Sequence, residues 1–246
     1  MRKWTTMAML PLVLATATGC SGADRGHDEA RPADMGPATT KNFALDGFTG
    51  VEMAGPYDVT IRPGDAFKVE AKGPQAELDR LEIDTSGSTL SISRQRNSWS
   101  FGRQDKVAIA ITLPKLETVR LTGSGSIDVD SVEGDAVKAA VTGSGDLKIA
   151  RLTATSVDLA MSGSGELEVA GGKVGSGDIG VTGSGDIDAG GLVADTLDVS
   201  VTGSGDVAAH ATGKADVRVL GSGDVTVKGG ATCSTHKTGS GDISCG

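Results

Sequence analysis

The stretch VTGSGDIDAGGLVADTLDVSVTGSGDV, residues 181–207, carries the tetrapeptide GSGD twice, at Gly183 and again at Gly203. GSGD or a near copy begins at Gly123, Gly143, Gly163, Gly175, Gly183, Gly203, Gly221 and Gly239. Without the copy at Gly175 the starts from Gly123 to Gly203 are evenly spaced, and those at Gly221 and Gly239 follow at a slightly shorter step. A constant period of about 20 residues is the mark of a solenoid, in which each repeat is one rung stacked on the last. The copy at Gly175 aligns, two periods back, with AVKA at 136–139, so it replaces strand sequence within a rung rather than adding one.

Aligning the rungs on their glycines gives columns. The residue after each tetrapeptide is Ile127, Leu147, Leu167, Ile187, Val207, Val225 and Ile243, and two further on stand Val129, Ile149, Val169, Ala189, Ala209, Val227 and Cys245. Before the glycines run Val141, Met161, Val181, Val201 and Val219, and before those Ala139, Leu159, Ile179, Val199 and Val217. Apolar and polar residues alternate at period two on both sides of the turn, which is strand periodicity. Each rung therefore supplies two short strands joined by a glycine corner, stacked into parallel sheets around a narrow aliphatic core. At about 4.8 Å per rung, seven rungs stand roughly 30 Å tall. The corner glycines are Gly123, Gly125, Gly143, Gly145, Gly163, Gly165, Gly183, Gly185, Gly203, Gly205, Gly221, Gly223, Gly239 and Gly241. A corner repeated in every rung needs positive φ or very close backbone approach, which glycine supplies without steric cost.

The alignment places Cys233 in the inward column of Val137, Val157, Leu197 and Ala215, and Cys245 in that of Val227. Both cysteines face the interior of the last rung from opposite sides of its corner, and in an exported chain they are expected to form a disulfide. The short loop it closes makes it worth about 3 kcal/mol in the loop-entropy account.

Export is read at the N-terminus. Arg2 and Lys3 precede a mostly apolar run, Met7 to Ala17, too short for the roughly 20 residues that span a bilayer. It ends in ATGC, which resembles the lipobox of bacterial lipoproteins, with Ala17 where Leu is commoner; the resemblance implies Cys20 as the lipidation site, the other reading being an ordinary secretory signal with an incidental cysteine. Residues 1–19 read as the signal peptide, and residues 20–40 as the lipidated cysteine and a flexible tether with an average reach of about 25 Å. Ser21 in place of Asp after the cysteine favours the outer membrane, by the sorting rule of well-studied Gram-negative bacteria. The chain is thus expected to meet the membrane through its lipid anchor.

Residues 41–246 form the globular part: 41–120 as a β-rich N-terminal cap with one short helix at 74–81, and 121–246 as the rungs. With a net charge of −9, nucleic-acid binding, which needs clustered Lys and Arg to neutralise phosphates, is not expected. Apart from Trp4, every aromatic lies between Phe43 and Phe101, so the rungs carry no stacking platform. Trp99 and Phe101, beside Arg94, Arg96, Arg103 and Lys106, are the candidate contact patch, the other reading being that both pack under the N-terminal cap.

Chemistry finds little footing. GSGDIG at Gly175 to Gly180 matches a dinucleotide fingerprint, but no helix follows and the glycines recur where no cofactor binds. No cofactor is expected. His27, His210 and His236 are the only histidines, and no nucleophile or zinc-hydrolase motif surrounds them. Carboxylates do stack. Asp158, Asp178, Asp198 and Asp216 share an outward strand column, while Asp146, Glu166, Asp186, Asp206, Asp224 and Asp242 share the corner. A calcium ion would relieve the repulsion along such a column, and so would solvent and turn hydrogen bonds.

With FTGVEMAGPYDVTIRPGDAFKVEA, then VAIAITLPKLETVRLTGSGSIDV, then repeated TGSGD, the chain from about residue 43 to 246 resembles the putative auto-transporter adhesin head GIN domain family. The resemblance implies a right-handed parallel β-helix in an exported, often lipid-anchored protein, and brings no catalytic residues. Three functions stand at this level: a non-enzymatic adhesive or envelope-interaction protein with a protein or glycan partner, a calcium-binding structural solenoid, and a polysaccharide-acting β-helix enzyme. The first is the expected one.

Overall fold

The computed structural model describes residues 38–95 and 106–246. The signal segment, Cys20, all but the last residues of the tether, and both Trp99 and Phe101 lie outside the described residues. All described residues belong to one compact unit, Gly36–Gly246.

The alternation of β-branched and polar residues becomes strand almost throughout. The N-terminal part runs β1 (Thr39–Phe43), β2 (Gly50–Ala54), β3 (Asp58–Pro63), β4 (Lys68–Gly73), a single helical turn α1 (Gln75–Leu78), β5 (Leu81–Ser86), β6 (Thr89–Arg94) and β7 (Ala108–Leu113). The rungs run β8 (Thr118–Gly123), β9 (Ser126–Val129), β10 (Val132–Gly143), β11 (Asp146–Ile149), β12 (Leu152–Gly163) and β13 (Glu166–Val169). They continue as β14 (Gly172–Gly183), β15 (Asp186–Gly203), β16 (Val207–Gly221), β17 (Val225–Lys228), β18 (Thr232–Gly239) and β19 (Ile243–Cys245). The architecture is a parallel β-solenoid. Pairing from β8 and β9 upward is parallel and unbroken, rung on rung, to β18 and β19.

Below β8 and β9 the order in space departs from the order in the chain. β2 and β3 form the rung directly beneath, each paired in parallel with β8 or β9 above and with β6 or β7 below. Beneath these, β5 runs antiparallel to β6, β4 antiparallel to β7, and β1 antiparallel to β4. The cap thus covers the lower sheet edges with strands of reversed direction, while Phe48 packs on Phe67, their centroids 5.0 Å apart, among the core side chains.

The register reproduces the sequence columns. Ala139, Leu159, Ile179, Val199 and Val217 align rung by rung, as do Val141, Met161, Val181, Val201 and Val219, and all are buried. Side chains of this kind are worth about 1.5–3 kcal/mol each when fully buried, so the core holds the stack without a single aromatic above the cap.

Three details correct the sequence reading. Each rung has a third limb as well as two strands: Val132–Gly134, Leu152–Ala154, Gly172–Val174 and Leu192–Ala194 stack in register, with Val132, Leu152, Val174, Leu192 and Ala194 buried. The copy at Gly175 lies one position from its expected place, because Ser176 aligns with Ser156 and Thr196, and Gly177 takes the inward position between Val157 and Leu197. The shorter step of the last rungs arises away from the GSG corner. Register slips between Asp188 and Val193 and between Ala194 and Thr196, where the third limb begins and ends.

Candidate functional site

The two corner glycines do different work. At the first, φ is 119 at Gly123, 118 at Gly143, 132 at Gly163, 121 at Gly183, 132 at Gly203, 140 at Gly221 and 130 at Gly239, a region that L side chains seldom enter. The second is not in that region; a Cβ on Gly145 would stand 2.5 Å from the carbonyl oxygen of Gly125 in the rung below. One glycine turns the chain and the other lets successive corners touch. Between them, Ser144 N–H donates to Gly123 O at 2.9 Å, and the same bond recurs at Ser164, Ser184, Ser204, Ser222 and Ser240 at 2.8–2.9 Å. The GSGD stretches are therefore a backbone ladder.

The acidic corner column has its own structural task. In the lower rungs Asp146 N–H donates to Gly125 O at 3.1 Å and Asp186 N–H to Gly165 O at 3.1 Å. In the upper rungs the acceptor becomes a carboxylate: Asp206 N–H donates to Asp186 Oδ1 at 2.8 Å, Asp224 N–H to Asp206 Oδ1 at 2.8 Å, and Asp242 N–H to Asp224 Oδ1 at 2.7 Å. Such charge-assisted bonds are stronger than neutral ones.

The outward column runs Lys138, Asp158, Asp178, Asp198, Asp216 in register. Cations meet it at both ends. Lys138 Nζ is 3.7 Å from Asp158, and Arg218 lies 2.9 Å from Asp216 and 4.0 Å from Asp198. Asp178, in the middle, has no ion pair among the described residues; its carboxyl is held above the usual range, by burial first and then by Asp158 and Asp198. Among the described residues, no three His, Cys, Asp or Glu side chains gather as a metal ligand set. Residues 121–246 hold eight Lys and Arg against 17 Asp and Glu, so the whole formal excess of negative charge lies on the rungs.

Cys233 is bonded to Cys245. They occupy the columns the sequence assigns them, above Ala215 and Val227. Cys233 is only half-buried and Cys245 exposed.

The sequence reading missed a polar cluster in the cap. Glu77 accepts from Arg80 Nη1 at 2.9 Å and from Arg94 Nη2 at 3.0 Å, with the three side chains mostly shielded from water. Tyr57 stands in the same electrostatic field, its phenol pushed up chiefly by burial. Lys106 pairs with Asp58 at 3.1 Å, and Asp58 also accepts from Ser126 Oγ at 3.0 Å. Arg94 and Lys106, the two basic residues of the expected patch that are described, are thus held by ion pairs, Arg94 to α1 and Lys106 to Asp58. An open polar hollow of about 890 Å³ on the Arg94 side is lined by Ala54, Glu82, Asp84, Ser91, Ser93, Arg94 and Gln95. Its chemistry suits hydrogen bonding to a polar surface.

A family model described as "Putative auto-transporter adhesin, head GIN domain" matches residues 47–231. No curated protein matches the sequence. A crystal structure described as a putative adhesin from Bacteroides fragilis is similar at TM-score 0.81 and 23% identity, covering 85% of this chain and 97% of that one. One described as a putative adhesin from Parabacteroides distasonis gives 0.67 and 22%, covering 86% and 98%. Another from that organism, described as a putative lipid binding protein, gives 0.68 and 21%, covering 86% and 97%. At these identities the likeness is one of fold.

Proposed function

We propose an adhesive role from one premise: the chain belongs to the putative auto-transporter adhesin head GIN domain family, whose model matches residues 47–231. In this reading the protein is exported, lipid-anchored through Cys20 at the outer membrane, and works by contact with an envelope protein or glycan rather than by catalysis. The family match carries the proposal. The signal-like N-terminus and the ATGC stretch ending at Cys20 support the anchor, and more than one acyl chain makes such an anchor stable. The contact residues proposed are Trp99 and Phe101, whose flanking residues Arg94 and Lys106 are held by ion pairs.

Two measurements test the reading separately. Labelled palmitate is expected on the wild-type chain and absent from Cys20→Ala; equal labelling of both ends the anchor claim. Beads coated with the purified chain are expected to retain envelope glycans or cells, and to lose them when Trp99 and Phe101 are both changed to Ala. A folded double variant that retains them as well as wild type removes the patch, and no retention by wild type removes adhesion.

A further inference from the structure

The last rung is built unlike those beneath it. In β12 and β13 the inward residues Leu152, Val157, Leu159, Met161, Leu167 and Val169 are all buried. The last rung places Cys233, Thr235, Lys237, Ile243 and Cys245 above Ala215, Val217, Val219, Val225 and Val227, and none of its five is fully buried. The chain enters this rung through Gly229 and Gly230, at φ 106 and 74, two successive residues in the left-handed region where only glycine is at ease. No other rung is entered through two such residues among those described. The disulfide joins β18 to β19 across the corner, and both of its cysteines belong to this rung. It ties the rung to itself and leaves the attachment below to the strand ladders and a few single bonds, such as Gly246 N–H to Val227 O at 3.0 Å.

We propose that residues 229–246 are a disulfide-clasped lid over the end of the stack, and that reducing the Cys233–Cys245 bond releases this rung alone. The reductant is a dithiol. One of its thiolates attacks a protein sulfur, the Sγ–Sγ bond breaks, and the second thiolate resolves the mixed disulfide. The reagent leaves as a cyclic disulfide, and two electrons and two protons remain on Cys233 and Cys245 as thiols. The exposure of Cys245 gives the reagent access. Without the clasp, β18 and β19 hold the stack through their own ladders and the corner bonds of Ser240 and Asp242, and the Gly229–Gly230 hinge lets them swing away. That lays bare the upper edges of β16 and β17 and the aliphatic ends Val217, Val219, Val225 and Val227. An uncovered edge of this kind accepts another strand, so the clasp controls whether the end of the solenoid is open for pairing.

Hydrogen exchange read by mass spectrometry on the purified chain, oxidised or treated with dithiothreitol, tests this. Amides of residues 229–246 are expected to exchange at least tenfold faster after reduction while those of β8 to β15 stay unchanged, and trypsin is expected to cut after Lys228 only in the reduced protein. Unchanged exchange in 229–246, or an equal loss of protection along the whole stack, overturns the proposal. The double variant Cys233→Ser/Cys245→Ser must reproduce the reduced pattern without reagent; a pattern like that of the oxidised protein overturns it too.

Discussion

Gly55 lies directly beneath Gly123, and the two share the same unusual backbone, φ 140 and 119. Gly55 begins a corner written Gly-Pro-Tyr-Asp instead of Gly-Ser-Gly-Asp, with Asp58 beneath Ser126. The first corner of the solenoid therefore comes long before the first GSG in the chain, and the conformation, rather than the tetrapeptide, is what the stack repeats.

Gly143→Ala should lower stability by at least about 2 kcal/mol, because a side chain in that region is strained by roughly 1–3 kcal/mol and its Cβ would stand 2.5 Å from Gly123 O. Gly180→Ala, where a Cβ meets nothing within 4 Å, should raise stability by about 0.5 kcal/mol through the unfolded chain. Urea midpoints of the two variants should move in opposite directions.

Asp178→Asn should stabilise the fold at neutral pH by roughly 0.5 kcal/mol, the usual size of a cross-strand pair effect, since it removes the carboxylate with no ion pair in its column. The sign follows from linkage. A carboxyl raised in the folded state contributes stability at low pH that is lost as pH rises through the carboxylate range. Thermal melts at pH 4 and pH 7 should show the gain at pH 7 and little at pH 4.

Glu77→Gln should cost about 2 kcal/mol, because it leaves Arg80 and Arg94 without their shared charge in a largely shielded site. The loss should disappear if Arg94 and Arg80 are also replaced, as a multiple-mutant cycle of chemical melts would read.

Lys237→Val with Thr235→Val should turn a closed end into a sticky one. These positions continue the columns of Val219 and Val217, and a lysine at a strand edge is a common guard against pairing between copies. The variant is expected to form higher oligomers in light scattering at concentrations where the wild type does not change.

The rungs were legible because their signal is periodic: seven glycine corners and five aliphatic columns leave one register in which the inward residues are apolar in all but the last rung, where Thr235 and Lys237 stand in the columns of Val217 and Val219. The third limb was not, since it is very short and its inward positions mix Val132, Gly134, Ala154 and Gly172, too few and too small to show alternation. The lowest regular rung was present in the sequence as VEMAGPYDVTI, which matches VRLTGSGSIDV position by position once Gly55 is set against Gly123. Pro56 and Tyr57 break the tetrapeptide there, so the pattern GSGD does not reveal it. The cap cluster was harder to find: Glu77 and Arg94 stand well apart in the chain on different elements, and only the antiparallel pairing below β6 brings those elements together. The acidic columns and their turn hydrogen bonds were legible, while the rung-to-rung pairing of each carboxylate with the next corner's amide was not, because it depends on where an amide points.

The order of strands in space also says how such a rod comes to exist. The rung of β2 and β3 is sandwiched, with Gly50 beside Thr89 below and Thr118 above, so its partners leave the ribosome well after it does. The sandwiched rung is complete only once β8 and β9 have followed; from there each new rung needs only the one just laid, a single period back. Contacts distant in the chain are slow to find, and contacts that near are quick. The protein therefore has a seed and a growing tip. A long assembly step at the cap end is followed by rapid extension, and its length can change by whole rungs without any new lesson in how to fold.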